Sequence, residues 1–172
     1  LESADRDPKS IGHSRTFEKD LWRREDIEPQ LLRLSEKVGR RARRYGYKGK
    51  KVTLTVRYAD FKTFTRQTTM PAYTNDTGEI YRTALSILDG IRLTKSIRLL
   101  GISLFSFGKN EQLTLFEKPY RKDREALLKA MDTVNDKFGE DKIIWASTAN
   151  KEKDHNVISP AWRTSGVRKS DV

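Results

Sequence analysis

The chain has no cysteine, which excludes a disulfide framework and any thiolate metal site. Its only two histidines, His13 and His155, are far apart in sequence and give no basis for a metal site or an acid/base pair. No apolar run is long enough to span a bilayer. The opening residues, LESADRDPKS, are polar and charged rather than a secretory signal. A soluble, cytoplasmic protein is the expectation. A Gly-rich phosphate loop of Walker type is missing, as is any nucleophile–base pairing at a recognisable spacing. Two-metal nucleotidyl transfer needs carboxylates clustered to hold ions about 3.5–4 Å apart. Here Asp60 stands alone in a turn, and Asp76, Glu79 and Asp89 belong to a helix cap and a helix surface. No chemistry, no metal and no cofactor are expected of these residues.

The chain is instead rich in positive charge. Its 172 residues carry 35 Lys+Arg against 24 Asp+Glu, a formal net charge of +11. Such a balance favours polyanionic partners. The excess is uneven. Residues 1–108 hold 22 basic against 13 acidic side chains, and residues 109–172 hold 13 against 11. Anion binding therefore belongs to the first part.

The densest stretch runs from Gly39 to Met70. It opens with Arg40, Arg41, Arg43 and Arg44, passes Lys48, Lys50 and Lys51, and enters an alternating run, VTLTVRY. Alternation places Val52, Leu54, Val56 and Tyr58 on one face of a strand and Thr53, Thr55 and Arg57 on the other. Ala59-Asp60 turns the chain into a second, Thr-rich strand that Pro71 is expected to close. Upstream, residues 9–17 (KSIGHSRTF) read as a strand. Gly12 weakens it and can also mark a close backbone approach to a ligand. Asp26 is a plausible N-cap for a helix with its stripe at Ile27, Leu31, Leu34, Val38 and Ala42, with Pro29 in the first turn. Downstream, Asp76 and Glu79 resemble a capping box. Ile80, Ala84, Ile87 and Ile91 form the inner stripe of a second helix. SIRLLGISLFSF reads as a final strand with Leu100, Ile102 and Leu104 inward.

The order is β-α-β-β-α-β. That is the split βαβ pattern, an α+β fold with a four-stranded antiparallel sheet, both helices on one face and the other face open. The boundaries read as a linker (1–8), this domain (9–108), a linker (109–119) and a C-terminal extension (120–172). The extension holds a helix with stripe Leu127, Met131, Val134 and Phe138, stopped at Gly139. A short strand at 142–147 and a frayed end follow.

An open sheet face bearing hydroxyls and basic groups can track a phosphate backbone, because Ser, Thr, Arg and Lys are the usual phosphate donors. The candidates are Ser10, His13, Ser14, Arg15, Arg57, Lys62, Thr63, Thr65, Arg66 and Arg98. An ordinary solvated sheet face is the plainer alternative.

The opener KSIGHSRTF, the basic helix, the hairpin and IRLLGISLF occur in an order and spacing that resemble the little-finger domain of Y-family translesion DNA polymerases, the DinB/UmuC (ImpB/MucB/SamB) group. The resemblance covers residues 9–107. It implies a non-catalytic DNA-binding module that lies along the major groove of duplex primer–template and touches both strands through phosphates. By position it implies contacts at Ser10, Gly12, His13 and Arg15, at Thr65, Arg66 and Thr69, and at Arg98. It puts the catalytic carboxylates and their Mg²⁺ in a palm domain outside this chain, and the chain's start in the tether before the little finger. Many members carry extra basic residues near Leu99 and Ser103. This chain does not, and Arg57 with the Arg40–Lys51 cluster is expected to compensate.

Residues 112–116, Gln112-Leu113-Thr114-Leu115-Phe116, look like the bacterial sliding-clamp-binding pentapeptide. There Leu113, Leu115 and Phe116 would fill an apolar cleft of the β sliding clamp, with Gln112 at its rim. The segment from 129 to 147, with ISPAWRT (158–164) beyond it, resembles the C-terminal extension of UmuC-like members. The competing class is an RNA-binding module that stacks bases on Phe61, Phe64 and Phe105 of a split-βαβ sheet. Its usual aromatic signature is missing from the Thr-rich third strand.

Overall fold

The computed structural model describes residues 8–108, 119–139 and 142–148. The elements are β1 (Ser10–Leu21), α1 (Arg24–Arg44), β2 (Gly49–Tyr58), β3 (Thr63–Thr74), α2 (Thr77–Asp89), β4 (Ile97–Phe107) and α3 (Pro119–Phe138). The four strands form one antiparallel sheet in the order β1-β4-β2-β3. The split βαβ pattern and the α+β class hold, with a C-terminal helix added.

Alternation along β2 decides which way the sheet faces. Val52, Leu54 and Val56 are fully buried, as are Leu100, Ile102 and Leu104 of the central strand β4. They share one core cluster with Ile27, Leu31, Leu34 and Val38 of α1 and Ile80, Ala84 and Ile87 of α2. Each such side chain contributes about 1.5–3 kcal/mol on burial. Both helices therefore lie on the face that these residues define. Clamp-like residues 112–116 lie outside the described residues.

Five local expectations are corrected. Helix α1 starts at Arg24 with Arg23 as N-cap, and no side chain caps it. Asp26 sits inside the first turn with Glu25, where negative charge meets the positive end of the helix. Pro29 consequently falls in the second turn, and its missing N–H costs one intrahelical bond. Strand β3 does not stop at Pro71 but runs to Thr74. Lys51 faces Thr69 while Gly49 faces Thr74, so the extra β3 residues bulge between them. Because β3 is an edge strand, proline is tolerated in that bulge.

Residues 142–147 are not a strand. A 3-10 turn spans Ala146–Thr148, and the Asn135 side chain holds both the N–H and the C=O of Ile143 at 2.9 Å. On α3 the inner stripe is also displaced: Leu128 and Asn135 are buried, whereas Leu127 and Phe138 are exposed. The helix docks through polar groups, so an apolar stripe was a poor guide. Gly139 does terminate it, at φ +104°.

Asp76 ties two elements together. One carboxylate oxygen accepts the Glu79 N–H at 2.9 Å as the α2 N-cap, and the other accepts from the Arg124 guanidinium of α3. Asp76→Ala should cost about 1 kcal/mol for the cap, plus the loss of a partly buried charge pair. Urea unfolding should show the midpoint fall, and an unchanged midpoint would remove the cap from the account.

Candidate nucleic-acid interface

The register places a lattice of side chains on the sheet face opposite the helices. Directly paired residues share a face. One row runs Ser10, Phe105, Lys51, Thr69, and the next Gly12, Ser103, Thr53, Gln67. Then follow Ser14, Gly101, Thr55, Thr65 and finally Thr16, Leu99, Arg57, Thr63. Rows are about 6–7 Å apart along the strands and about 4.8 Å apart across them. These sixteen positions are mostly hydroxyls, with two cations and no carboxylate. Among the described elements, no helix covers it.

The cations sit where they can reach outward. Lys51 lies 6.0 Å from the Phe105 ring centroid, and the Arg57 guanidinium is steadied by the Thr63 hydroxyl at 2.8 Å. At the rim, Arg98 occupies the irregularity where β2 and β4 change register. Its guanidinium stands 5.0 Å from the centre of the Phe61 ring and 4.0 Å from Asp20. Lys62 is exposed in the β2–β3 turn.

Glycine at position 12 has a packing cause. A Cβ there would come within 2.4 Å of the Ser103 hydroxyl on the neighbouring strand. The close approach is to β4.

Ser10, Gly12, Arg57, Thr65 and Thr69 are thus brought together on the open face, with Ser14 and Thr63 beside them. His13 and Arg15 are not. They share β1's other face with the buried Ile11 and Phe17; His13 is 6% exposed, and Arg15 donates to Gln30 of α1 at 3.1 Å. Arg66 pairs with Leu54, so it too lies on the helix side of the sheet. It remains exposed because β3 is the edge, and its guanidinium covers Phe64 at 5.5 Å. Ser103 and Gln67 were not singled out from sequence. Extending the alternation of β2 onto its neighbours would have found them.

Residues 8–115 match the C-terminal domain of the impB/mucB/samB family. The chain belongs to this family. Its relatives include proteins named DNA polymerase IV. That of Desulfatibacillum aliphaticivorans is 35% identical over 87% of this chain and 39% of its own length. That of Pelotomaculum thermopropionicum is 39% identical over 80% and 35%. That of Streptococcus suis is 38% identical over 60% and 29%. The chain therefore spans about two-fifths or less of these curated relatives. A solved post-insertion binary complex of Dbh DNA polymerase overlays with a TM-score of 0.49 at 14% identity, covering 57% of this chain and 28% of that one.

In this impB/mucB/samB domain the arginine-rich end of α1 does not reach the open face. Arg43 forks onto Asp132 of α3 at 2.6 and 2.9 Å. Arg40 and Arg44 both donate to Asp136, at 2.7 and 2.9 Å. Lys48 meets Glu125 at 3.0 Å, and Arg41 donates to the Gly12 carbonyl at 3.1 Å. The expected compensation from Arg40–Arg44 on the sheet is therefore corrected: that charge points into the helix layer.

The carboxylates are likewise committed. Asp60 accepts from the Lys62 N–H and from Lys95 Nζ at 2.5 Å, Asp76 caps α2, and Asp89 pairs with Arg24. Among the described residues, no three His, Asp or Glu side chains converge as a metal site. No described helix is long and apolar enough to cross a membrane.

Two carboxyls are held below their ordinary value of 3.8: Asp60 chiefly by the hydrogen bond from Lys95, and Asp136 chiefly by that from Arg40. A depressed folded-state value contributes stability above the ordinary carboxylate range, lost as pH falls through the folded value. Acidifying below the ordinary carboxylate value of 3.8, through the lowered folded value of Asp136, should therefore loosen α3 from α1 before the sheet melts. Hydrogen exchange should show α3 amides accelerating first. Simultaneous loss of α3 and sheet protection would rule this out.

Proposed function

We propose that this chain is the duplex-gripping module of a Y-family translesion DNA polymerase. The open lattice of hydroxyls, with Lys51, Arg57 and Arg98 at its centre and rim, is the observation that carries the proposal. Hydroxyls would donate to phosphate oxygens of the sugar–phosphate backbone without regard to base, and the cations would neutralise it. Contact without sequence preference is what a polymerase needs as it moves along template. Ser10, Gly12, Ser14, Thr65 and Thr69 supply the floor, and Lys62 extends the grip past the hairpin turn.

The names of the relatives support a parent that polymerises DNA. Nucleotidyl transfer, with its Mg²⁺, belongs in this reading to the part of the parent that the relatives carry beyond the matched region. Residues 112–116 would recruit the parent to the β sliding clamp during damage bypass, in the bacterial cytoplasm.

Competition binding tests the grip. A duplex primer–template should displace single-stranded RNA from the chain, with affinity falling steeply as salt rises. Preference for single strands would favour the aromatic-stacking RNA module instead.

A further inference from the structure

The basic end of α1 does not reach the open sheet face, yet it carries Arg40, Arg41, Arg43 and Arg44 within five residues. Arg40, Arg43 and Arg44 project from the last two turns of α1, and Lys48 follows just beyond. Each is met by a carboxylate from α3: Asp132, Asp136 or Glu125. The helix that supplies these carboxylates is weakly seated. Of its side chains only Leu128 and Asn135 are buried among the described residues. Two of the pairs that hold it, Arg44–Asp136 and Lys48–Glu125, are exposed on both sides, whereas Arg43–Asp132 and Arg124–Asp76 are part-buried. Exposed ion pairs of this kind contribute little and are screened by salt.

We propose that the Arg40–Lys48 end of α1 is a second phosphate-binding surface, and that α3 occupies it as an internal stand-in for nucleic-acid backbone. The geometry of Arg43 fits that exchange. A guanidinium that forks onto a carboxylate presents the same two parallel donors to a phosphate. Duplex DNA displaces α3, three guanidinium groups and one ammonium trade carboxylate for phosphate, and the module grips more backbone. With α3 seated three carboxylates offset these four cations and the chain binds through the sheet alone. The proposal rests on the duplex-gripping reading for the identity of its polyanion.

One glycine gives a test that leaves charge unchanged. Gly78, in the first turn of α2, lies under Arg124; a Cβ there would fall 2.3 Å from Arg124 Nη2. Gly78→Ala should push Arg124 off Asp76 and loosen α3, while alanine suits the α2 helix better than glycine. Asp132→Asn with Asp136→Asn loosens α3 by removing its carboxylates. Glu18→Gln with Glu25→Gln changes net charge equally but lies away from α3. Binding of the full chain to a short duplex is measured against salt for all three, with α3 seating followed by hydrogen exchange.

Gly78→Ala and the Asp132/Asp136 variant should both speed α3 exchange. Both should steepen the log–log salt slope, by roughly 0.9 for each arginine that engages a phosphate. The Glu18/Glu25 variant should leave both unchanged. Faster α3 exchange with an unaltered slope would overturn the second surface, as would equal steepening in the charge control. If the sheet reading alone is wrong, Lys51→Ala with Arg57→Ala leaves wild-type binding intact, while the α3 variants still steepen the slope.

Discussion

Replacing Lys51, Arg57 and Arg98 together by alanine should shrink the salt slope of duplex binding by about 2.7. That is roughly 0.9 for each phosphate no longer neutralised. Stability should barely move, because surface substitutions away from special features usually stay within about 0.5 kcal/mol. Lys51 and Arg57 alternate with the buried Val52, Leu54 and Val56 on β2 and point away from them. Arg98 stands at the rim over Phe61. The informative partner is Arg15→Ala, whose side chain turns toward Gln30 and the helix layer. It should leave the slope alone. The opposite pattern, an unchanged slope in the triple variant and a reduced one in Arg15→Ala, would put the backbone on the other side of β1. Titration with a fluorescent duplex across a salt series reads both directly.

That contrast marks how far the residues speak for themselves. β2 alternates strictly, so its two faces, and with them Arg57, Thr53 and Thr55, are readable from composition and period alone. β1 alternates less cleanly: Ile11, His13 and Phe17 are buried, Arg15 between them is half-buried, and the pattern ends at Lys19. The same period assigns His13 and Arg15 to the buried side. A polar residue in a strand need not face outward; its neighbours two positions away decide the face. Arg66 fails for another cause: its face depends on pairing with Leu54 across β2, and register is set by the hairpin turn rather than by β3's own residues. The helix starts and the inner stripe of α2 were legible to within a few residues because burial and capping act locally.

The arginine cluster was not legible, because its partners Asp132 and Asp136 lie some 90 positions away along the chain. Charge density announces that a surface is basic. It does not announce what already neutralises it. The same distance explains α3, whose seat is set by Arg43, Arg40 and Asp76 rather than by an apolar stripe of its own.

Leu115→Ala combined with Phe116→Ala should abolish binding of the chain to a β sliding clamp while leaving duplex affinity unchanged. The two side chains are the bulk of a short apolar island in a polar stretch, with Gln112, Leu113 and Thr114 before them. Burying a leucine or a phenylalanine contributes about 1.5–3 kcal/mol each. Losing both removes about 3–6 kcal/mol, and every 1.4 kcal/mol is about a tenfold change. Docking of a five-residue motif on a partner also costs entropy, so binding starts from modest affinity. A loss of a hundredfold or more from that start leaves nothing measurable at micromolar protein. Leu113→Ala alone should weaken binding without eliminating it, and Gln112→Ala should act through the rim with a smaller loss. Surface plasmon resonance against immobilised clamp separates the three variants. Clamp binding that survives the double substitution would move the contact to another part of the chain, and a parallel fall in duplex affinity would mean that these residues serve the DNA grip instead.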